Sequence, residues 1–120
     1  MTNRELDAEI AKHVFGYGVG VKDDGIYQPF YYLEDASMSA VPAYSTEMGW
    51  AWKVVDKMKD RGWKYELKYD VDEYDECSFY KPPRHNYQDC YSSNGEGKSP
   101  EHAICLAALN AHLTHSQELK

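Results

Sequence analysis

Tyr44-Ser-Thr-Glu-Met-Gly-Trp-Ala-Trp-Lys-Val-Val-Asp-Lys-Met-Lys-Asp-Arg-Gly-Trp63-Lys-Tyr-Glu-Leu-Lys-Tyr-Asp70 changes its hydrophobic period once, and that change decides the fold. Met48, Ala51, Trp52, Val55 and Met58 recur at i, i+3, i+4, i+7 and i+10, which is one stripe of a helix, with Lys53, Lys57 and Asp60 away from it. Ser45 is placed to cap its start. Lys59 and Arg61 sit in the last turn, where the helix dipole favours cations, and Gly62 stops it. From Trp63 the period drops to two. Trp63, Tyr65, Leu67 and Tyr69 share one face and Lys64, Glu66, Lys68 and Asp70 the other, the pattern of a strand with one buried and one wet face.

Toward the C-terminus, the acidic stretch Val71 to Asp75 reads as a connection, and Glu76 to Lys81 as a returning strand with Cys77 and Phe79 on one side and Ser78 and Tyr80 on the other. Pro82-Pro83 stops it. A third short strand fits near Gln88 to Ser92, followed by a loop from Ser93 to Lys98. The last helix starts at Ser99, with Pro100 and Glu101 in its first turn. It should be nearly buried, because Ile104, Cys105, Ala108, Leu109 and Ala111 form a broad apolar arc.

Toward the N-terminus, Thr2 and Glu5 have capping-box spacing, and Leu6, Ile10 and Val14 predict a first helix to about Phe15. Gly16, Gly18 and Gly20 break that pattern, and Asp23-Asp24-Gly25 reads as a turn before the aromatic run from Ile26 to Leu33. Pro29 demotes this run to an edge strand or an ordered loop, since it has no N–H for a central ladder. Residues 34–42 read as loop. The expected architecture is one domain over residues 1–120, an α+β layered sandwich with a mainly antiparallel sheet of three to four strands packed with three helices.

A chain of 120 residues with 42% apolar content can bury a core, and its eleven tyrosines serve either the core edge or a binding surface. The net charge of −7 disfavours nucleic acid and anionic membranes as direct partners and favours a basic protein surface. Between Lys64 and Glu76 lie six acids and two lysines, so this stretch carries −4 of the total. A homo-oligomer is compatible with the composition. No run is long enough to span a membrane, and Arg4 follows closely on the start, so a cytoplasmic location is expected. Cys77, Cys90 and Cys105 lack short paired spacing, as reduced thiols would.

The pattern Tyr-Ser-Thr-x-x-x-x-Ala-Trp-x-Val-Val at Tyr44 to Val55, then Gly62-Trp63, then Ser-Pro-x-x-Ala-Ile-Cys-x-Ala-Ala-Leu at Ser99 to Leu109, resembles the small alpha-beta-alpha sandwich domain proteins encoded by phages and prophages. A weaker match covers Thr2 to Leu6. The resemblance implies the sandwich fold and an infected bacterial host as the setting. It brings no catalytic residue, because capping and packing explain every matched position.

Candidate chemistry is sparse. Gly97-Lys98-Ser99 at a helix start invites a phosphate-loop reading, but the full motif needs glycine where Ser92 stands, and Pro100 removes an amide. What survives is a loose anion site at Gly95, Gly97, Lys98 and Ser99. Cys77, His85 and Cys90 lack the compact spacing of a zinc site, and no motif requires a metal or cofactor. None of the five histidines or three cysteines has a signature that activates a nucleophile, so a non-enzymatic protein is expected. His112 and His115 fall late in the last helix, where the dipole favours a protonated ring.

Two binding readings stand. Asp70, Asp72, Glu73, Tyr74, Asp75 and Glu76 form an acidic hairpin that could imitate a phosphate backbone and occupy the basic surface of a host or phage protein, for instance to inhibit a host defence or nucleic-acid-handling protein. The alternative is a nucleotide-like ligand in an aromatic pocket of Tyr27, Phe30, Tyr31, Tyr32 and Tyr44, with Arg84 or Lys98 for its charge.

Overall fold

The computed structural model describes residues 2–23, 27–32, 37–71, 74–81 and 91–118. In chain order these form α1 (Asn3–His13), β1 (Val19–Asp23), β2 (Tyr27–Tyr32), β3 (Met38–Ala40), α2 (Met48–Asp60), β4 (Lys64–Val71), β5 (Tyr74–Lys81), β6 (Tyr91–Gly97) and α3 (Pro100–Glu118). The α+β sandwich is present and, among the described residues, has three helices and six strands in two antiparallel sheets, β1-β2-β3 and β4-β5-β6. Helix α3 packs on β5 and β6, α1 and α2 pack on α3, and the first sheet packs on α1 through β2.

Each helix boundary follows from local chemistry. The Thr2 hydroxyl accepts from the Glu5 N–H at 3.2 Å and donates to the Glu5 carboxylate at 3.1 Å, which caps α1. Its buried face carries Leu6, Ile10 and Ala11, and Val14, just past its end, is buried as well. The helix stops two residues before the expected Phe15, and the backbone turns at Gly16 with φ +73°. At the end of α2 the Trp63 N–H reaches the Met58 carbonyl at 3.0 Å and the Gly62 N–H reaches Lys59 at 2.9 Å, with Gly62 at φ +91°. This is the Schellman closure that the glycine predicts. On α3, the Ser99 hydroxyl accepts from the His102 N–H at 3.3 Å, and Ile104, Cys105, Ala108, Leu109 and Ala111 are all buried as expected.

Four expectations need correction. Ser45 does not cap α2: Glu47 occupies that position without a side-chain bond. A buried carboxylate competes better for the Ser45 donors. The Ser45 hydroxyl and N–H both donate to Asp7 Oδ1, at 2.6 and 2.8 Å, and Arg4 donates to the other oxygen at 2.8 Å. Trp52 does not join the buried stripe. Val54 takes that place and Trp52 is 39% exposed, because α2 meets α3 and β4 on a face rotated away from the one its tryptophans suggest.

The third correction concerns the aromatic run. β2 is the central strand of the first sheet, with Pro29 inside it. The ladder tolerates this proline because its missing N–H falls just past the end of β3. There the Val41 N–H donates to the Pro29 carbonyl at 3.1 Å, and the Val41 carbonyl, which would have accepted from residue 29, takes Arg4 Nη2 at 2.7 Å instead. A guanidinium supplies the donor that proline lacks.

Lastly, two stretches read as loop contain strand: Met38–Ala40 within residues 34–42, and Ser93 to Gly97. A Cβ at Gly95 would stand 2.6 Å from the Ala103 carbonyl and closer still to the Ala107 nitrogen, and one at Gly97 would stand 2.8 Å from the His102 ring. The glycines let the α3 backbone lie directly on β6.

Candidate functional site

The site grows out of the period-two pattern of the second sheet. Cys77 and Phe79 of β5 and Gly95 and Gly97 of β6 face α3, so Lys64, Glu66, Lys68, Glu76, Ser78, Tyr80 and Glu96 fall on the opposite face, which no described helix covers. The strand register then fixes which charges meet. Lys68 is opposite Glu76, and Glu76 is opposite Glu96. The Lys68 ammonium also reaches along its own strand, with Nζ 3.7 Å from Glu66 Oε1, both side chains well exposed. Two carboxylates directly across an antiparallel pair repel, and nothing in the packing requires Glu96 to be acidic. The outer face therefore carries, beside Lys68, two opposed carboxylates that the fold itself does not need.

The acids expected to act together divide between the two faces of the sheet. Glu76 is on the outer face, and Asp75 is half buried on the side that carries Cys77 and Phe79. Asp70 and Tyr74 occupy the ends of β4 and β5, where Val71 pairs with Tyr74 after a shift in register. Asp72 and Glu73 lie outside the described residues. Glu96 was not legible as a member, because a strand reading Ser-Ser-Asn-Gly-Glu-Gly has the composition of a loop.

The described residues of the aromatic reading divide between two places, Tyr31 and Tyr44 in one series of rings and Phe30 with Tyr32 on the other face of the first sheet, and the Tyr27 side chain lies outside the described residues. Tyr31 and Tyr32 are neighbours on one strand and point to opposite faces. Tyr31 stacks on Tyr17 at 4.7 Å and continues a ladder through Phe15, Tyr44 and Trp50 that ends under Lys53, 4.5 Å from the Trp50 ring. Burial pushes the Tyr44 hydroxyl well above its ordinary range. Tyr32 is half exposed on the other face of the first sheet, against Phe30. Lys98 stands on the rim of a different cleft of about 630 Å³ at the start of α3, shared with Glu96, Glu101 and His102. Those two carboxylates oppose the loose anion reading there, and the Ser45 hydroxyl on that cleft is engaged by Asp7. Arg84, Cys90 and His85 lie outside the described residues.

Burial holds the thiols of Cys77, pushed up to about 12, and Cys105 in their protonated form, where they pack as small apolar groups. His112 is a further correction. Burial first, then the charges of Arg61, His13 and Lys81, pulls it down to about 4, so its ring is neutral and lies 2.6 Å from Arg61 Nη1. Desolvation and the cations gathered around the ring outweigh the dipole of α3. Among the described residues no three His, Cys, Asp or Glu side chains are grouped to hold a metal, and no helix is long and apolar enough to cross a membrane.

Two helices and α3 laid against antiparallel sheets define a sandwich class, and the chain belongs to the phage ABA sandwich domain family, whose pattern matches residues 8–109. Its fold is similar to that in the crystal structure of a phage protein from Bacillus cereus ATCC 14579, with 23% identity over 92% of each chain and a TM-score of 0.70. No curated protein matches it.

Proposed function

We propose that this phage protein is a non-enzymatic binding protein that docks on the basic surface of a host or phage protein through the outer face of the β4–β6 sheet and the acids that follow between β4 and β5. A host defence or nucleic-acid-handling protein is the partner this chemistry suits best, since its own ligand is a polyanion. The observation that supports the reading is Glu76 directly opposite Glu96. Such an opposition weakens strand pairing by roughly 0.2–1 kcal/mol, and a cationic partner would relieve it.

The trade-off is the test. Glu96→Gln should raise the melting temperature while weakening partner capture from host lysate, and Glu76→Lys with Glu96→Lys should abolish capture. Wild-type capture should also fall as ionic strength rises. A partner retained equally by the charge-reversed variant and at high salt would sink the proposal.

A further inference from the structure

The strand β4 is the edge of its sheet: among the described residues it pairs with β5 on one side and with no strand on the other. Exposed edges invite a further strand, and proteins commonly block them with charge, lysine above all. β4 is not blocked by a single sign of charge. Its outer face alternates Lys64, Glu66 and Lys68. From these charges and the apolar residues beside them we infer that the β4 edge is the interface of a symmetric homodimer, in which β4 pairs antiparallel with β4 of a second copy about a two-fold axis at Leu67.

The register follows from charge. With Leu67 opposite Leu67 of the second copy, each Glu66 meets a Lys68. Moving the axis by one residue either way sets Glu66 against Glu66 or Lys68 against Lys68. The in-register pairing keeps the helices of both copies on the same side, as an isologous contact requires. The irregularity between Lys68 and Val71 bounds the paired segment.

A second observation lies on the helix side of the same edge. Trp52 and Tyr65 are 39% and 37% exposed and touch each other edge to face, with centroids 6.3 Å apart, and Leu67 is half buried on the same face of the strand. Two large aromatic side chains left open next to an edge that no described strand pairs are what a partner strand with its own Leu67 and Tyr65 would cover. Glu66 and Lys68 also lie on the outer face proposed to bind a heterologous partner, but sedimentation of the chain alone reads the dimer without that partner, so the two readings fail separately.

The test is sedimentation velocity of the full chain from low to high micromolar concentration. Wild type should show a reversible dimer. Glu66→Lys and Lys68→Glu should each weaken it roughly tenfold or more, since each replaces two attractions by two repulsions. An equimolar mixture of the two variants should recover a mixed dimer to within about threefold of wild type. In that mixed dimer the lysine introduced at position 66 meets the glutamate introduced at position 68, and the native Lys68 of one chain meets the native Glu66 of the other, so both symmetric positions are attractive again. Recovery also excludes misfolding as the cause of the loss. A wild-type chain that stays monomeric, a dimer that both reversals leave unchanged, as contact through the Tyr32 and Met38 face would be, or a mixture that fails to recover would overturn it.

Discussion

His112 shows how a single residue reports its surroundings. Its folded-state value of about 4 lies below the ordinary 6.5, so the native structure favours the neutral ring. The stabilisation this gives is fully present above pH 6.5 and is lost as the pH falls from there toward 4, where the unfolded chain binds the proton more readily. Between those two values wild type should lose roughly 1–2 kcal/mol more stability than His112→Gln in urea titrations, less than the whole shift because the ring is only part buried. Equal losses would show that the Arg61 contact leaves the imidazole free to titrate. Ser45 teaches the same lesson about local rules. Its position suited a cap, but a buried Asp7 thirty-eight residues away offered a charged acceptor, and a charge-assisted bond outcompetes a neutral cap.

At the scale of elements, β6 and α3 are held together by what is absent. Adding a Cβ at Gly95 would drive it into the backbone of α3 at Ala103 and Ala107, which cannot give way as a flexible side chain can. Gly95→Ala should therefore cost roughly 3 kcal/mol or prevent folding. Gly49→Ala, with nothing within 4 Å and a helical backbone, should be neutral or stabilising by about 0.5 kcal/mol. Thermal melts of the pair decide this, and a tolerated Gly95→Ala would mean that the helix can lift from the sheet. The strongly periodic elements, α1, α2, β4, β5 and α3, were legible in the sequence because each carries its own apolar stripe. β6 was not, since its side of the contact is made by glycines and leaves no hydrophobic signal. The central position of β2 was hidden for a different reason: the donor that rescues Pro29 comes from Arg4, and no local window contains both. The acidic cluster was legible as composition, but its division between two faces, and the part played by Glu96, needed the strand register.

In the whole molecule, the second sheet presents a charged outer face and, at β4, an edge that no described strand pairs, while the first sheet depends on α1. Arg4 donates at once to Asp7, Val41 and Pro42, and Asp7 takes both Ser45 donors, so four backbone or side-chain groups of the segment 41–45 are held from one helix end. Prising α1 away would orphan a buried carboxylate and the Val41 carbonyl together, which makes separate opening of the helix and the sheet unfavourable. The amides of Val41 and Ser45 and those of α1 should consequently exchange with solvent deuterium at one common rate. Arg4→Ala should accelerate Val41 and Ser45 while the amides of β4 and β5 keep their pace. The proline that interrupts a ladder thus makes α1 and the segment 41–45 breathe as a single cooperative unit.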